Sequence, residues 1–173
     1  MEYRIQDSGK TKRIAVTAML GALALASGLI ESRFPLPYPG MRLGVSNIFS
    51  MTALLVFGPA EAVSVTVLRI ALSFFLSGSP ATLACSAGGA LLSLPLSIVL
   101  YERFRDSLSV PAISVASAFA FNVGQVGAIA ALLRSPEVFA WLPPLLICAA
   151  VTGFAVGSLA LVMARRMSSA PNQ

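Results

Sequence analysis

The sequence predicts an all-α fold, a polytopic integral membrane bundle of six transmembrane helices, and three observations predict it. Hydrophobic residues make up 57% of the 173-residue chain, and they fall in several long runs. Charged residues make up 11%, against about 25% in a soluble domain, so charge is too scarce to cover a water-facing surface. The runs are continuous rather than alternating, which favours helices over a barrel, because lipid forces backbone groups to bond within one segment.

A hydrocarbon core of about 30 Å takes roughly 20 helical residues at about 1.5 Å each. Residues 1–13 form a basic tail ending in Lys10, Lys12 and Arg13, and Ile14–Ile30 is the first span. Ala18, Ala22 and Ala26 recur along it at four-residue intervals. They make a flat face that lets another helix approach closely, inside the bundle or from a second membrane protein. The basic tail, this run and the small residues Ala24 and Ala26 also have the outline of a cleaved signal peptide, although packing accounts for the small residues as well.

Leu43–Phe57 is a short second span, parted from the third, Ala60–Ser77, by the turn signal Gly58-Pro59. The fourth and fifth are Ala81–Tyr101 and Pro111–Leu133. The sixth, Val138–Ala164, is long enough to tilt or to break at Pro143-Pro144, and Gly153 and Gly157 give it a GxxxG pattern. Residues 14–164 thus form a single domain, and residues 165–173 a second tail. With six spans, Lys10, Lys12, Arg13, Arg103, Arg105, Arg165 and Arg166 fall on one side, against Arg33, Arg42 and Arg134 on the other. The excess marks the cytoplasmic side, so both termini are expected there.

Polar residues inside spans carry the functional signal. Arg69 stands in the middle of the third span, with Thr66, Ser73 and Ser77 on the same stripe. Such a charge must face the bundle or a wet cavity. It either binds an anion or bonds structurally to helix-end carbonyls or Glu61. Asn122 and Gln125 lie one turn apart in the fifth span, beside Gly124 and Gly127. They are placed either to read a polar ligand or to hold a neighbouring helix.

The stretch ESRFPLPYPGMRLGVSN, residues 31–47, separates the first two spans. Pro35, Pro37 and Pro39 stiffen it toward an extended form, and Gly40 and Gly44 permit turning. A stiff arm carrying Glu31, Arg33, Phe34, Tyr38 and Arg42 suits a lid over an outward-facing pocket. Arg42, Asn47 and Arg69, with Ser73, Asn122 and Gln125, are the expected contacts for a partly anionic ligand. A loop packed down for stability is the competing account.

Several chemistries lack their residues. Histidine is absent, no GxxxxGK[ST] occurs, and Asp7 and Asp106 are the only aspartates. Triad chemistry, P-loop hydrolysis and aspartate-held magnesium are therefore not expected, nor are a catalytic residue, a metal or a cofactor. Cys85 and Cys148 sit in apolar runs and read as small hydrophobes.

In order along the chain, ESRFPLPYPGMRLGVSN, FGPAEA, LRIALS, GGALLSL, FNVGQV and VTGFAVG resemble the Gx transporter family. That family is often labelled heptaprenyl diphosphate synthase component I and is akin to the S components of energy-coupling-factor (ECF) transporters. The resemblance implies a six-helix membrane protein that captures a small vitamin-like, flavin-like or isoprenoid-related molecule. It implies that the first extracellular loop is a lid and that Ala18, Ala22 and Ala26 dock a transmembrane coupling subunit. ATP hydrolysis would belong to separate ATPase subunits, and nucleic acid is not an expected partner. The chain departs from the family pattern at Phe121, where histidine is usual. The alternative is a non-catalytic accessory of prenyl diphosphate biosynthesis or of a membrane redox system. Prenyl synthases themselves use aspartate-rich motifs that this chain lacks.

Overall fold

A computed structural model describes residues 10–31, 42 and 44–169. Among the described residues there are six α-helices, one 3-10 segment and no strand. The helices are α1 (Lys10–Glu31), α2 (Asn47–Val56), α3 (Pro59–Ser77), α4 (Pro80–Phe104), α5 (Val110–Leu133) and α6 (Leu142–Ser168). Five are long and apolar enough to cross a membrane, and α2 is the exception.

The boundaries follow local chemistry. Proline stands in the first turn of α3, α4, α5 and α6, where its missing N–H costs nothing. Ser79 and Ser109 cap α4 and α5 by accepting from the Thr82 and Ala112 N–H groups. Gly78 ends α3 with a φ of 60°, a left-handed stop that glycine adopts freely. Pro143 and Pro144 open α6 instead of breaking it, because the residues before them, Pro136–Trp141, form the separate 3-10 segment.

Helix α2 differs most from its expected span. It has ten residues, about 15 Å of rise, or half a bilayer core. Arg13 pairs with Glu61, and Gly21 faces Leu68, so α1 and α3 run in the same direction. Helix α2 descends between them and is almost wholly buried from Ile48 to Val56. The end of the bundle where α1 begins is its lower end.

Close packing joins α4, α5 and α6. A Cβ built on Gly124 would clash with the Gly88 carbonyl oxygen, and one on Gly88 would meet Ala128 and the Gly124 backbone. Gly153 and Gly157 lie against the backbone of Val115 and Pro111, so the GxxxG face of α6 is spent inside the bundle. One apolar cluster at the lower end joins Leu54, Val65, Tyr101, Ile113 and Ala160. A smaller one at the upper end joins Cys85, Val126, Ile129, Val138 and Leu145. Large apolar side chains such as Phe75, Leu91, Ile147 and Val151 face outward, each at least 70% exposed, as lipid contact requires. Cys148 is exposed among them and not packed inward.

A methyl group added at Gly124 has only backbone to push against, so Gly124→Ala should cost about 1–3 kcal/mol. Gly127 has nothing within 4 Å of a built Cβ, and Gly127→Ala should leave stability unchanged or raise it by about 0.5–1 kcal/mol. Thermal unfolding of the two variants in one detergent measures the contrast.

Candidate functional site

Between the two apolar clusters lies a polar layer, and Arg69 is its anchor. The residue is fully buried on α3, and its Nη1 donates to Ser46 Oγ. Ser46 precedes α2 but caps none of its N–H groups, because its hydroxyl serves the guanidinium. The shortness of α2 is what brings that hydroxyl to the depth of Arg69. Glu61, one partner open to Arg69 on sequence grounds, instead pairs with Arg13 at the lower end.

The stripe on α3 is buried from Thr66 through Ser73, while Ser77 emerges at the helix end. Thr66 hydrogen bonds with Ser50 of α2 at 2.9 Å. One turn above Arg69, Ser73 Oγ lies 3.5 Å from Arg42 Nη1. Arg42 is 2% exposed, and its guanidinium rests against Gly28 of α1, where a Cβ would come within 2.9 Å of Nη1. Glycine at 28 is therefore a condition of the arginine's placement.

Gln125 holds the backbone of Arg42 from both sides. The Arg42 N–H donates to Gln125 Oε1 at 3.1 Å, and Gln125 Nε2 donates to the Arg42 carbonyl at 3.0 Å. The same Nε2 donates to Asn122 Oδ1 at 2.7 Å, and Asn122 Nδ2 donates to the Ala118 carbonyl at 3.0 Å. The two amides thus grip the chain entering α2. On the other side, Glu31 Oε1 accepts from the Gly44 and Val45 N–H groups at 2.5 and 3.3 Å. Gly44 has a φ of 87°, a turn at which a side chain would be strained.

Glu31, Arg42 and Arg69 lie within one another's electrostatic reach. They form no ion pair, for the only salt bridge among the described residues is Arg13–Glu61. Two guanidiniums and one carboxylate leave a net positive charge in the layer. Arg42 Nε, Arg69 Nε, Arg69 Nη2 and Glu31 Oε2 are buried without a hydrogen-bond partner among the described residues. Buried polar atoms normally find partners, so three idle donors around two cations mark a place that suits an anion.

A cavity lies one helical turn below. About 40 Å³ of it is open to the centres of water molecules, room for roughly three at about 10–15 Å³ each. Seven of its fourteen lining residues carry a hydroxyl, and Asn47 adds an amide. The hydroxyls come from α2 (Ser50), α3 (Thr66), α4 (Ser93, Ser97), α5 (Ser114, Ser117) and α6 (Thr152). Gly44 lines it too, which sets the cavity directly beneath the gripped segment.

The structure therefore joins Arg42, Ser73, Asn122 and Gln125 in one hydrogen-bonded set, bonds Arg69 to Ser46 beside them, and puts Asn47 on the cavity wall. Arg33, Phe34, Pro35, Pro37, Tyr38, Pro39 and Gly40 lie outside the described residues. Ala18, Ala22 and Ala26 all face outward from α1. Phe121 is buried, with its ring over Gly89, where a Cβ would come within 2.5 Å of it. Among the described residues no three metal-ligating side chains come together. Sequence reasoning missed the hydroxyl wall, although its signal was present. Ser93 and Ser97 stand four apart, and Ser114 and Ser117 three apart, each pair on one helical face.

Comparison with known proteins gives two results. A family profile described as "Heptaprenyl diphosphate synthase component I" matches residues 20–163. A solved structure of the S component of a bacterial ECF transporter superposes with a TM-score of 0.60 at 18% sequence identity, covering 92% of this chain and 96% of that one. No curated protein sequence matches. The structural likeness is one of fold.

Gln125→Leu removes three hydrogen bonds and strands the buried N–H and carbonyl of Arg42. It should lower unfolding stability by about 2–4 kcal/mol, measured by thermal or denaturant unfolding in detergent.

Proposed function

The chain belongs to the heptaprenyl diphosphate synthase component I family, and from that premise we propose that it is the substrate-binding membrane subunit of an uptake system of the ECF type. The observation that carries this reading is the buried, net-positive layer with idle donors above a hydroxyl-lined cavity. Three guanidinium N–H groups without a partner among the described residues, inside a lipid-embedded bundle, favour a ligand over a bare scaffold. The fold shared with an ECF S component supports the same reading.

The topology in this proposal is six crossings with both termini cytoplasmic. Parallel α1 and α3 require a return passage between them, whose lower half is α2. Arg13, the α4–α5 turn with Arg103 and Arg105, and the Arg165-Arg166 end of α6 share the lower end, which supports assigning it to the cytoplasm. Residues 1–13 and 165–173 are then cytoplasmic tails of one domain, in the cell membrane. The outer mouth in this reading lies above Arg42 and Gly44, which form its floor.

The ligand in this reading is a small molecule with an anionic group, which Arg42 and Arg69 receive. Catalysis has no assigned residue, and energy comes from separate coupling and ATPase subunits. The coupling subunit docks on Ala18, Ala22 and Ala26, whose outward exposure on α1 leaves their flat face free for it. The family description favours one second reading, a non-catalytic accessory to prenyl diphosphate synthesis. Co-purification separates the two: coupling and ATPase subunits on one account, a prenyltransferase alone on the other.

Two outcomes are expected. Arg69→Ala and Arg42→Ala should each weaken binding of the anionic molecule that travels with the purified protein by about 10- to 100-fold, the range for a lost charge-assisted hydrogen bond. Undiminished affinity in both would remove them from the site. Ala22→Leu should leave the melting temperature of the isolated chain unchanged while abolishing co-purification with the coupling subunit.

A further inference from the structure

We infer that the hydroxyl-lined cavity is a subsite for the hydrogen-bond-donating, non-isoprenoid body of a ligand whose anionic end meets Arg69 and Arg42. This deepens the capture reading above and rests on it.

Ser97 donates to the Leu94 carbonyl at 2.8 Å, Ser117 to the Ile113 carbonyl at 2.8 Å, and Thr152 to the Cys148 carbonyl at 3.0 Å. Thr66 contacts both the Ala62 carbonyl and Ser50 Oγ at 2.9 Å. A hydroxyl has one proton and a carbonyl has none. Thr66 therefore donates to Ala62, and Ser50 donates to Thr66. Five of the seven cavity hydroxyls thus spend their protons on the protein and turn lone pairs inward, while Ser93, Ser114 and the Asn47 amide add donors.

Such a wall is rich in acceptors with a few donors among them, and it suits the hydroxyl or amide groups of a ligand, which supply hydrogens and lone pairs together. An isoprenoid chain offers none, and burying it there would strip acceptors on five helices of water without replacement. The layer above has the opposite character, since its idle groups are mainly guanidinium donors. The two halves adjoin, because Ser46, bonded to Arg69 just before α2, and Ser50 of α2, bonded to Thr66, stand four residues apart. That is about 6 Å of helix rise, the span of a phosphate or carboxylate joined to two or three hydroxyl-bearing carbons. The recognised class is thus a small hydrophilic anion with a polyol-like or amide-bearing body.

Matched probes test this on the full chain in lipid nanodiscs by titration calorimetry. Glycerol 3-phosphate and propyl phosphate share three carbons and a phosphate monoester but differ in two hydroxyls. Glycerol 3-phosphate should bind about tenfold more tightly, the value of two modest hydrogen bonds. That advantage should fall to within about twofold in the Ser97→Ala/Ser117→Ala double variant. Thr152→Val, which keeps side-chain shape at a half-exposed position, should reduce it independently of any folding defect. Geranyl diphosphate should bind no more tightly than inorganic diphosphate. Equal or tighter binding of propyl phosphate, or a tenfold gain from the geranyl chain, overturns the inference while leaving anion capture intact. If neither phosphate binds, the capture reading falls with it.

Discussion

A guanidinium fixed half-way along an apolar helix has to be solvated by protein, and the polar layer is arranged around that requirement. On insertion scales such a charge costs about 2.5–3.5 kcal/mol when it faces lipid. Arg69 avoids this by total burial and a bond to Ser46. Ser46 reaches it only because α2 begins half-way through the bundle. The chain entering α2 then brings a second cation, Arg42, against Gly28 and Ser73. Glu31 offsets one of the two charges and spends one oxygen on the backbone at Gly44 and Val45. Three guanidinium donors of this cluster have no hydrogen-bond partner among the described residues.

The rigidity needed to hold such a cluster comes from the other half of the molecule. Helices α4, α5 and α6 approach to backbone contact at Gly88, Gly124, Gly153 and Gly157. Association in lipid relies on close van der Waals contact rather than on expelling water, so small residues at crossings are the strongest fastening available. Helix α5 lies at the centre of this brace and carries both Gln125 and the cavity residues Ser114 and Ser117. The grip on Arg42 is thus anchored to the half of the bundle where helices meet at backbone contact. Phe121 shows the same dependence, since its ring occupies space that a side chain at Gly89 would fill.

Much of this was legible in the sequence. Five long helices followed from unbroken apolar runs, and the burial of Arg69, Asn122 and Gln125 followed from the cost of polar groups in lipid. The true length of α2 was not legible, because apolar residues from Leu43 onward give no sign of where a buried helix starts. The role of the amides was equally hidden. Two amides one turn apart look the same whether they face a ligand or a backbone, and only the path of residue 42 decides between them. The serines went unread for a different reason. Each is individually common in membrane helices, and only their convergence from several helices makes a wall.

The geometry of α1 ties these parts together. Its outward face carries Ala18, Ala22 and Ala26, its inward face carries Gly21 and Gly28, and its last residue is Glu31. Gly28 accommodates the Arg42 guanidinium, and Glu31 holds the N–H groups of Gly44 and Val45. A helix is stiff along its axis, so a tilt of α1 imposed on its outer face moves Gly28 and Glu31 together. Gln125, fixed on the braced side, does not follow. Arg42 is held by Gln125, while Gly44 and Val45 are held by Glu31, and Gly44 forms part of the cavity roof. Any displacement of α1 relative to α5 must therefore stretch either the Glu31 bonds or the Gln125 bonds.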